Sequence, residues 1–235
     1  MKSKKVSSLG VMVFLLSSAM AGSPGASAQV TPPEDYLGFK PGADFHLMTY
    51  EEAMGYFELL ASETHRMMVL DMGETSGGRR MKYGVISSAE NLGRLDHFKE
   101  INRRISLPEG LSDEEARQLA DEGKAFVWID GGLHGTEVAP AQLLPQLAYD
   151  LVTGTDRQME MIRENVIALL VFANPDGMTI VSDWYMGNVG TPYETSPIPW
   201  LYHEYVGHDN NRDSFMANLV ETRNMNRAHS LEWFP

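Results

Sequence analysis

Two apolar segments, separated by residues of helical character, constrain the fold of this chain most. The segments are Ala125 to Asp130 (AFVWID) and Val166 to Ala173 (VIALLVFA), and the patterns between them predict helices at 138–152 and 156–164. Continuous apolar runs of this length favour strands that are covered on both faces. The order strand, helix, strand predicts a right-handed crossover between parallel strands. We therefore expect an α/β fold with a mixed, largely parallel sheet flanked by helices.

The residues ahead of these segments predict a helix and a hairpin. Thr49 and Glu52 have the spacing of a capping box, and the apolar positions after them predict a helix to about Thr64. Residues 66–74 predict a strand that ends in a turn, and residues 82–87 predict its antiparallel partner. Helical patterns recur at 88–105 and at 112–121.

Composition excludes several classes of protein. The 235 residues suit one globular domain, and they include no cysteine. Disulfide-stapled folds, Fe–S proteins and thiolate zinc sites all need cysteine sulfur. A metal site in this chain would therefore use histidine and carboxylate ligands.

The N-terminus has the layout of a secretory signal. Three lysines precede an apolar stretch from about Leu9 to Ala21, and small residues up to Ala28 follow it. That stretch is well short of the roughly 20 residues that cross a bilayer. We expect residues 1–28 to be a cleaved signal peptide, residues 29–235 to form one domain, and the mature protein to be secreted or periplasmic.

Charge argues against two kinds of partner. Residues 1–28 hold three lysines and no acid, so their removal changes the net charge from −13 to −16. Such an acidic protein repels nucleic acid and anionic lipid. We expect no nucleic-acid partner and, after signal cleavage, no membrane association.

The residues just past the first apolar strand include two candidate metal ligands. In α/β sheets, ligands gather at the C-terminal ends of strands. There the sequence Gly131-Gly132-Leu133 leads to His134 and Glu137, whose spacing across a strand-to-helix turn lets an imidazole and a carboxylate reach one ion. A His-x-x-Glu pair alone is a weak signal, since a surface histidine beside a helix N-terminal glutamate has the same spacing.

Two further motifs follow the second strand. Asn174-Pro175-Asp176-Gly177 suits a type I turn. Beyond it, Arg212 offers a planar fork for gripping a carboxylate, and Asn211 adds an amide. In isolation, an arginine flanked by acidic residues, here Asp209 and Asp213, is more typical of a surface ion pair.

Taken together and in this order, GGLHGTE, NPDG and GHDNNRD resemble the zinc carboxypeptidase family, the carboxypeptidase A-like metallopeptidases. The Gly78-Arg79-Arg80 turn is also similar to that family's N-terminal hairpin, and the resemblance covers roughly residues 45–227. It implies that His134 and Glu137 are two of three protein ligands to a catalytic zinc ion. It further implies that Asn211 and Arg212 receive the terminal carboxylate of a peptide or small amide substrate.

The resemblance also shows what the matching region lacks. The family's third zinc ligand, a histidine, and its general base, a glutamate, come from segments beyond Pro235, so the chain corresponds to the family's N-terminal portion. His229 follows the Asn-Arg pair too soon to fit the family's order. We therefore expect an incomplete sheet with an exposed apolar edge, poor solubility, and weak or no turnover from this chain alone.

The family's oxyanion-stabilising arginine is also missing, because no arginine or lysine lies between Asp176 and Arg212. Tyr185, His203 and Tyr205 are alternative donors, and the sequence does not choose among them. His203 and His208 form a rival metal motif. Metal-binding histidines on one helical face are four positions apart, whereas these are five apart, which turns the second about 140° away from the first.

Two other functions remain open. One is an amidase or deacylase of the aspartoacylase-like type, which shares the His-x-x-Glu layout. The other is a non-catalytic protein that binds carboxylates through Arg212.

Overall fold

The computed structural model describes residues 30–199, 201 and 210–235, so the expected signal peptide lies outside the described residues. Along this length, groups of two or three helices are separated by a β-hairpin and by two single strands. The helices are α1 Pro33–Leu37, α2 Tyr50–Glu63, α3 Ala89–Gly93, α4 Leu95–Ser106, α5 Asp113–Glu122, α6 Val138–Thr153, α7 Arg157–Asn165, α8 Pro175–Asn188 and α9 Val220–Arg227. The strands are β1 Met67–Glu74, β2 Arg80–Ile86, β3 Ala125–Gly131 and β4 Val166–Phe172. A 3-10 turn at Asn210–Arg212 and a π-helix at Ala228–Trp233 complete the described elements.

The four strands form one mixed sheet in the order β1-β2-β4-β3. The predicted hairpin is confirmed, since β1 and β2 pair antiparallel; β2 also pairs antiparallel with β4. The predicted crossover places β3 parallel to β4. The mixed α/β sheet is therefore as expected, but one of the three pairings is parallel, a smaller share than the sequence suggested.

The two apolar strands have different surroundings. β4 lies between β2 and β3 and is buried from Ile167 to Phe172. β3 was predicted to be covered on both faces, which is wrong: Val127 is 40% exposed and Asp130 is also exposed. The reason is its position, because among the described strands β3 pairs only with β4 and forms an edge of the sheet.

Helices cover both faces of the sheet. On one face, α2, α6 and α8 pack their apolar sides around Phe57, Leu144 and Phe172. On the other, α4 and the C-terminal π-helix enclose Phe98 and Trp233. No helix in the described part of the chain has the length and apolar character that crossing a bilayer requires.

Helix α8 differs from the sequence prediction. Asn174-Pro175-Asp176-Gly177 forms its N-terminus, because the Asn174 side chain accepts a hydrogen bond from Gly177 N (2.9 Å) and Pro175 occupies the first turn. The helix continues through residues 183–188. Its glycines, β-branched residues and tryptophan give a weak helical pattern, so packing against the sheet decides its length.

Candidate metal and carboxylate site

The His-x-x-Glu pair lies in the loop that joins β3 to α6. Gly132 has a φ of +72°, which turns the chain sharply after the strand. The amide of Glu137 donates to the carbonyl of His134 over 3.0 Å, and Glu137 precedes the first residue of α6. This tight loop brings the Nδ1 atom of His134 within 3.1 Å of the Oε1 atom of Glu137.

The loop packs closely against helix α6, which follows it. A Cβ atom on Gly131 would lie 2.7 Å from the carbonyl oxygen of Pro140, and one on Gly132 would lie 2.8 Å from the Cβ of Ala141. Side chains at these positions would push the loop away from α6. The glycines therefore fix where His134 stands at the C-terminal end of β3.

The second predicted pair, Asn211 and Arg212, is distant in sequence but lies next to His134 in the structure. The Nε2 atom of His134 lies 3.4 Å from Oδ1 of Asn211, and the same Oδ1 accepts a hydrogen bond from Arg212 Nη1 over 2.7 Å. The structure thus brings all four sequence-predicted site residues together as a continuous series of contacts. Their chemical roles remain predictions.

A buried carboxylate, Asp213, holds the segment that carries this pair. Asp213 is 1% exposed, and its two oxygens accept hydrogen bonds from the amides of Asn218 (2.9 Å) and Leu219 (2.7 Å). Burial by itself would raise the pKa of Asp213, but these hydrogen bonds outweigh it and hold the pKa below the ordinary value. Sequence reasoning gave Asp213 no role beyond a possible surface ion pair with Arg212.

The separation of the two candidate ligands suits zinc. Ligands about 2.0–2.1 Å from one tetrahedral ion stand about 3.3 Å from each other. The 3.1 Å between His134 Nδ1 and Glu137 Oε1 is close to that separation. Among the described residues there is no group of three or more histidine, aspartate or glutamate side chains placed to share an ion, so His134 and Glu137 stand as a pair of candidate ligands.

His229, which does not fit the family's order of ligands, lies near this region. A cavity of about 280 Å³ beside the site is lined by Asp130, Leu133, Asn211 and His229, among others. The His229 ring packs edge-on against Trp128 at 5.3 Å, and its Nδ1 atom lies 3.2 Å from Ser230 Oγ. His229 belongs to the π-helix, and these two contacts are sufficient to account for its position.

The candidate oxyanion donors are only partly described. Tyr185 lies on α8, where its hydroxyl is 3.4 Å from Glu194 Oε1. It lines a groove of about 580 Å³ that also includes Thr136, the residue before Glu137. His203, Tyr205 and the rival pair His203 and His208 lie outside the described residues.

Comparison with known families assigns this chain to one of them. Residues 54–233 match the model of the family described as zinc carboxypeptidase. Because the match spans well over half of the chain, this protein belongs to the zinc carboxypeptidase family. A comparison with curated proteins returned no match.

Solved structures similar to this chain are carboxypeptidases. Carboxypeptidase A from Helicoverpa armigera is 19% identical, with a TM-score of 0.40; the match covers 61% of this chain and 31% of that one. A metallo-carboxypeptidase from Burkholderia cenocepacia is 16% identical, with a TM-score of 0.38, over 65% of this chain and 36% of that one. This chain thus spans about a third of the length of these proteins.

Proposed function

We propose that this chain contributes the first part of a zinc-dependent hydrolase site that acts on a peptide or amide bond next to a free C-terminal carboxylate. We further propose that the protein acts outside the cytoplasm. The observation that carries the first proposal is the contact series Glu137, His134, Asn211, Arg212 at the C-terminal end of β3. It sets an imidazole and a carboxylate, two groups that bind zinc in proteins, beside a guanidinium.

His134 and Glu137 would hold the zinc ion, and Asn211 orients the imidazole. When Nε2 of His134 keeps its hydrogen and donates it to Asn211 Oδ1, the Nδ1 atom carries no proton, and its lone pair is available to a metal ion beside Glu137. Zinc in such a site supplies Lewis-acid polarisation of the scissile carbonyl and activates water as the nucleophile.

Arg212 would bind the substrate's terminal carboxylate. Its guanidinium is exposed, and its contact with Asn211 places the positive charge next to the candidate ligands. A bidentate contact between guanidinium and carboxylate fixes orientation as well as position, so it would select the last peptide bond of a chain.

A non-catalytic carboxylate-binding protein is the second candidate. It is favoured by the ligand count, since the described residues offer two zinc ligands where catalytic zinc sites use three. Binding of peptides through Arg212 does not require the metal. The two candidates therefore differ in their response to a chelator.

The test is to incubate the purified chain with zinc and measure bound metal, peptide binding and release of amino acids. The substrates are one peptide with a free C-terminal carboxylate, the same peptide as its C-terminal amide, and an N-acyl amino acid. We expect the free carboxylate to bind best, zinc to bind weakly, and little or no product to form.

Other results of this experiment would contradict the expectation or favour a different function. Stoichiometric zinc with rapid amino-acid release would contradict the expectation of weak turnover. Cleavage of the N-acyl amino acid but not of the peptides would identify a deacylase. Peptide binding that EDTA leaves unchanged, without zinc binding, would support the non-catalytic protein, and equal binding of acid and amide would refute the carboxylate site.

A further inference from the structure

One carboxylate, that of Asp176 in the first turn of α8, ties this turn to the β1–β2 turn. Its Oδ1 atom accepts hydrogen bonds from Thr75 Oγ1 (3.0 Å) and from Arg79 Nη1 (2.8 Å), and its Oδ2 atom accepts one from Gly77 N (2.9 Å). Three donors from a five-residue turn thus converge on one side chain. The Asp176 side chain is 15% exposed, so water competes little for these bonds.

The approach between the two turns requires glycine. A Cβ atom on Gly77 would lie 2.7 Å from each carboxylate oxygen of Asp176, closer than real contacts allow. Arg79 also donates to Glu51 Oε1 over 2.7 Å, and Glu51 Oε2 accepts from Thr179 Oγ1 of α8 over 2.7 Å. The β1–β2 turn, α2 and α8 are therefore joined in one closed polar network.

The first turn of α8 contacts the His134 loop through Gly177. A Cβ atom on Gly135 would lie 3.0 Å from the carbonyl oxygen of Gly177, so Gly135 packs directly against that backbone. Asn174 Nδ2 also reaches the carbonyl of Leu133 at 3.5 Å. The start of α8 thus lies between the β1–β2 turn and the loop that carries His134.

The rest of α8 does not depend on Asp176. Met178 and Val181 are buried, and Ser182 Oγ donates to the carbonyl of Met48 over 2.8 Å. Loss of the Asp176 contacts should therefore loosen the first turn of α8 without releasing the helix. The adjoining loop would then lose the surface on which Gly135 is seated.

We propose that Asp176 is a positioning residue for the His134 loop: by holding the β1–β2 turn, it fixes the first turn of α8 against Gly135 and so keeps His134 in place to bind zinc. The inference takes the metal role of His134 from the proposed function. The effect on the loop itself does not depend on that role.

The test compares Asp176→Asn with the wild-type chain by hydrogen–deuterium exchange and by zinc affinity. Asparagine keeps the shape of the side chain, but it has one acceptor oxygen and cannot accept from all three donors. We expect faster exchange at residues 75–79 and 132–137, unchanged far-UV circular dichroism, and a roughly 10-fold loss of zinc affinity, at the lower end of the range for outer partners of metal ligands.

Asp71→Asn is the matched control, because Asp71 also pairs with an arginine of the same hairpin, Arg80, at 2.6 Å. It should leave exchange at 132–137 and zinc affinity unchanged. If Asp176→Asn does not fold, Thr75→Val removes one of the three donors and keeps the carboxylate, and it should give a smaller change in the same direction.

The proposal is overturned if Asp176→Asn leaves exchange at 132–137 at the wild-type rate, or if Asp71→Asn changes it equally. A folded Asp176→Asn variant with faster exchange but wild-type zinc affinity would overturn the link to the metal. If the wild-type chain binds no zinc, the proposed function fails, and the exchange data alone decide whether Asp176 holds the loop.

Discussion

The imidazole of His134 stands between Glu137 and Asn211, with Nδ1 3.1 Å from the Glu137 carboxylate and Nε2 3.4 Å from the Asn211 amide oxygen. Both ring nitrogens thus face polar partners from different parts of the chain. If Nε2 keeps its hydrogen and donates it to the Asn211 amide oxygen, the lone pair of Nδ1 is free to bind a metal ion. We therefore expect the contact with Asn211 to influence metal binding by His134.

Removal of either candidate ligand should abolish most zinc binding. We expect His134→Ala and Glu137→Ala each to weaken zinc affinity by more than about 100-fold, since losing a ligand costs more than losing an outer partner. Isothermal titration with zinc measures this. His97→Ala is the control, because His97 also pairs with a glutamate, Glu122, at 2.7 Å, but on the surface of α4. Equal losses in the control would contradict the assignment.

Replacement of the arginine should remove the preference for a free C-terminus. Arg212→Met should weaken binding of a free-carboxylate peptide by about 10-fold or more, because a hydrogen bond to a charged group contributes about 1.5–3 kcal/mol. Binding of the matching C-terminal amide should change little. Fluorescence anisotropy with both peptides checks this, and Arg104→Met, a change on the surface of α4, should leave the preference intact.

Asp213 should stabilise the fold rather than take part in chemistry. Asp213→Ala leaves the amides of Asn218 and Leu219 without their acceptor, so we expect the free energy of unfolding to fall by about 2 kcal/mol or more. Urea denaturation measures the loss. Asp96→Ala, at an exposed position in the first turn of α4, should cost clearly less.

The same carboxylate predicts a pH dependence of stability. The pKa of Asp213 is lower in the folded protein than in the unfolded chain, so the folded state gains stability above the unfolded pKa. That contribution is lost as the pH falls through the lowered folded pKa. Urea midpoints measured from pH 6 down to pH 3 should therefore fall less steeply in Asp213→Ala than in the wild type; parallel curves would contradict this.

The C-terminal π-helix should be anchored by one buried hydrogen bond. Trp233 is 0% exposed, and its Nε1 donates to the hydroxyl of Tyr83 over 2.8 Å. Tyr83→Phe leaves this indole donor buried without an acceptor, and we expect a loss of about 1–3 kcal/mol. Thermal unfolding checks it against Tyr193→Phe, which removes a hydroxyl from an exposed tyrosine and should be neutral.

The sequence predicted those helices and strands that are specified by interactions between residues close together in the chain. Thr49 with Glu52 and Ser112 with Glu115 form capping boxes within four residues, and both helices begin as predicted. The hairpin and the two apolar strands also follow from periodicity and turn residues that lie within one element. The His134 and Glu137 pair belongs to this group, since a three-residue spacing at a strand end is visible in the sequence.

Only the tertiary structure decided which strand is an edge, how far α8 extends and what holds the site. The edge position of β3 depends on pairing, and its apolar composition resembles that of the central strand β4. Asp176 meets Thr75 across a sequence separation of 101 residues, and His134 meets Asn211 across 77. The sequence by itself determined the local elements, because short-range hydrogen bonds and side-chain periodicity suffice for them. It also identified the four candidate site residues, but through the order of motifs that resemble a known family rather than through spacing alone. Packing of the sheet and its helices decided the contacts among them, because such contacts form only when distant segments are already in place.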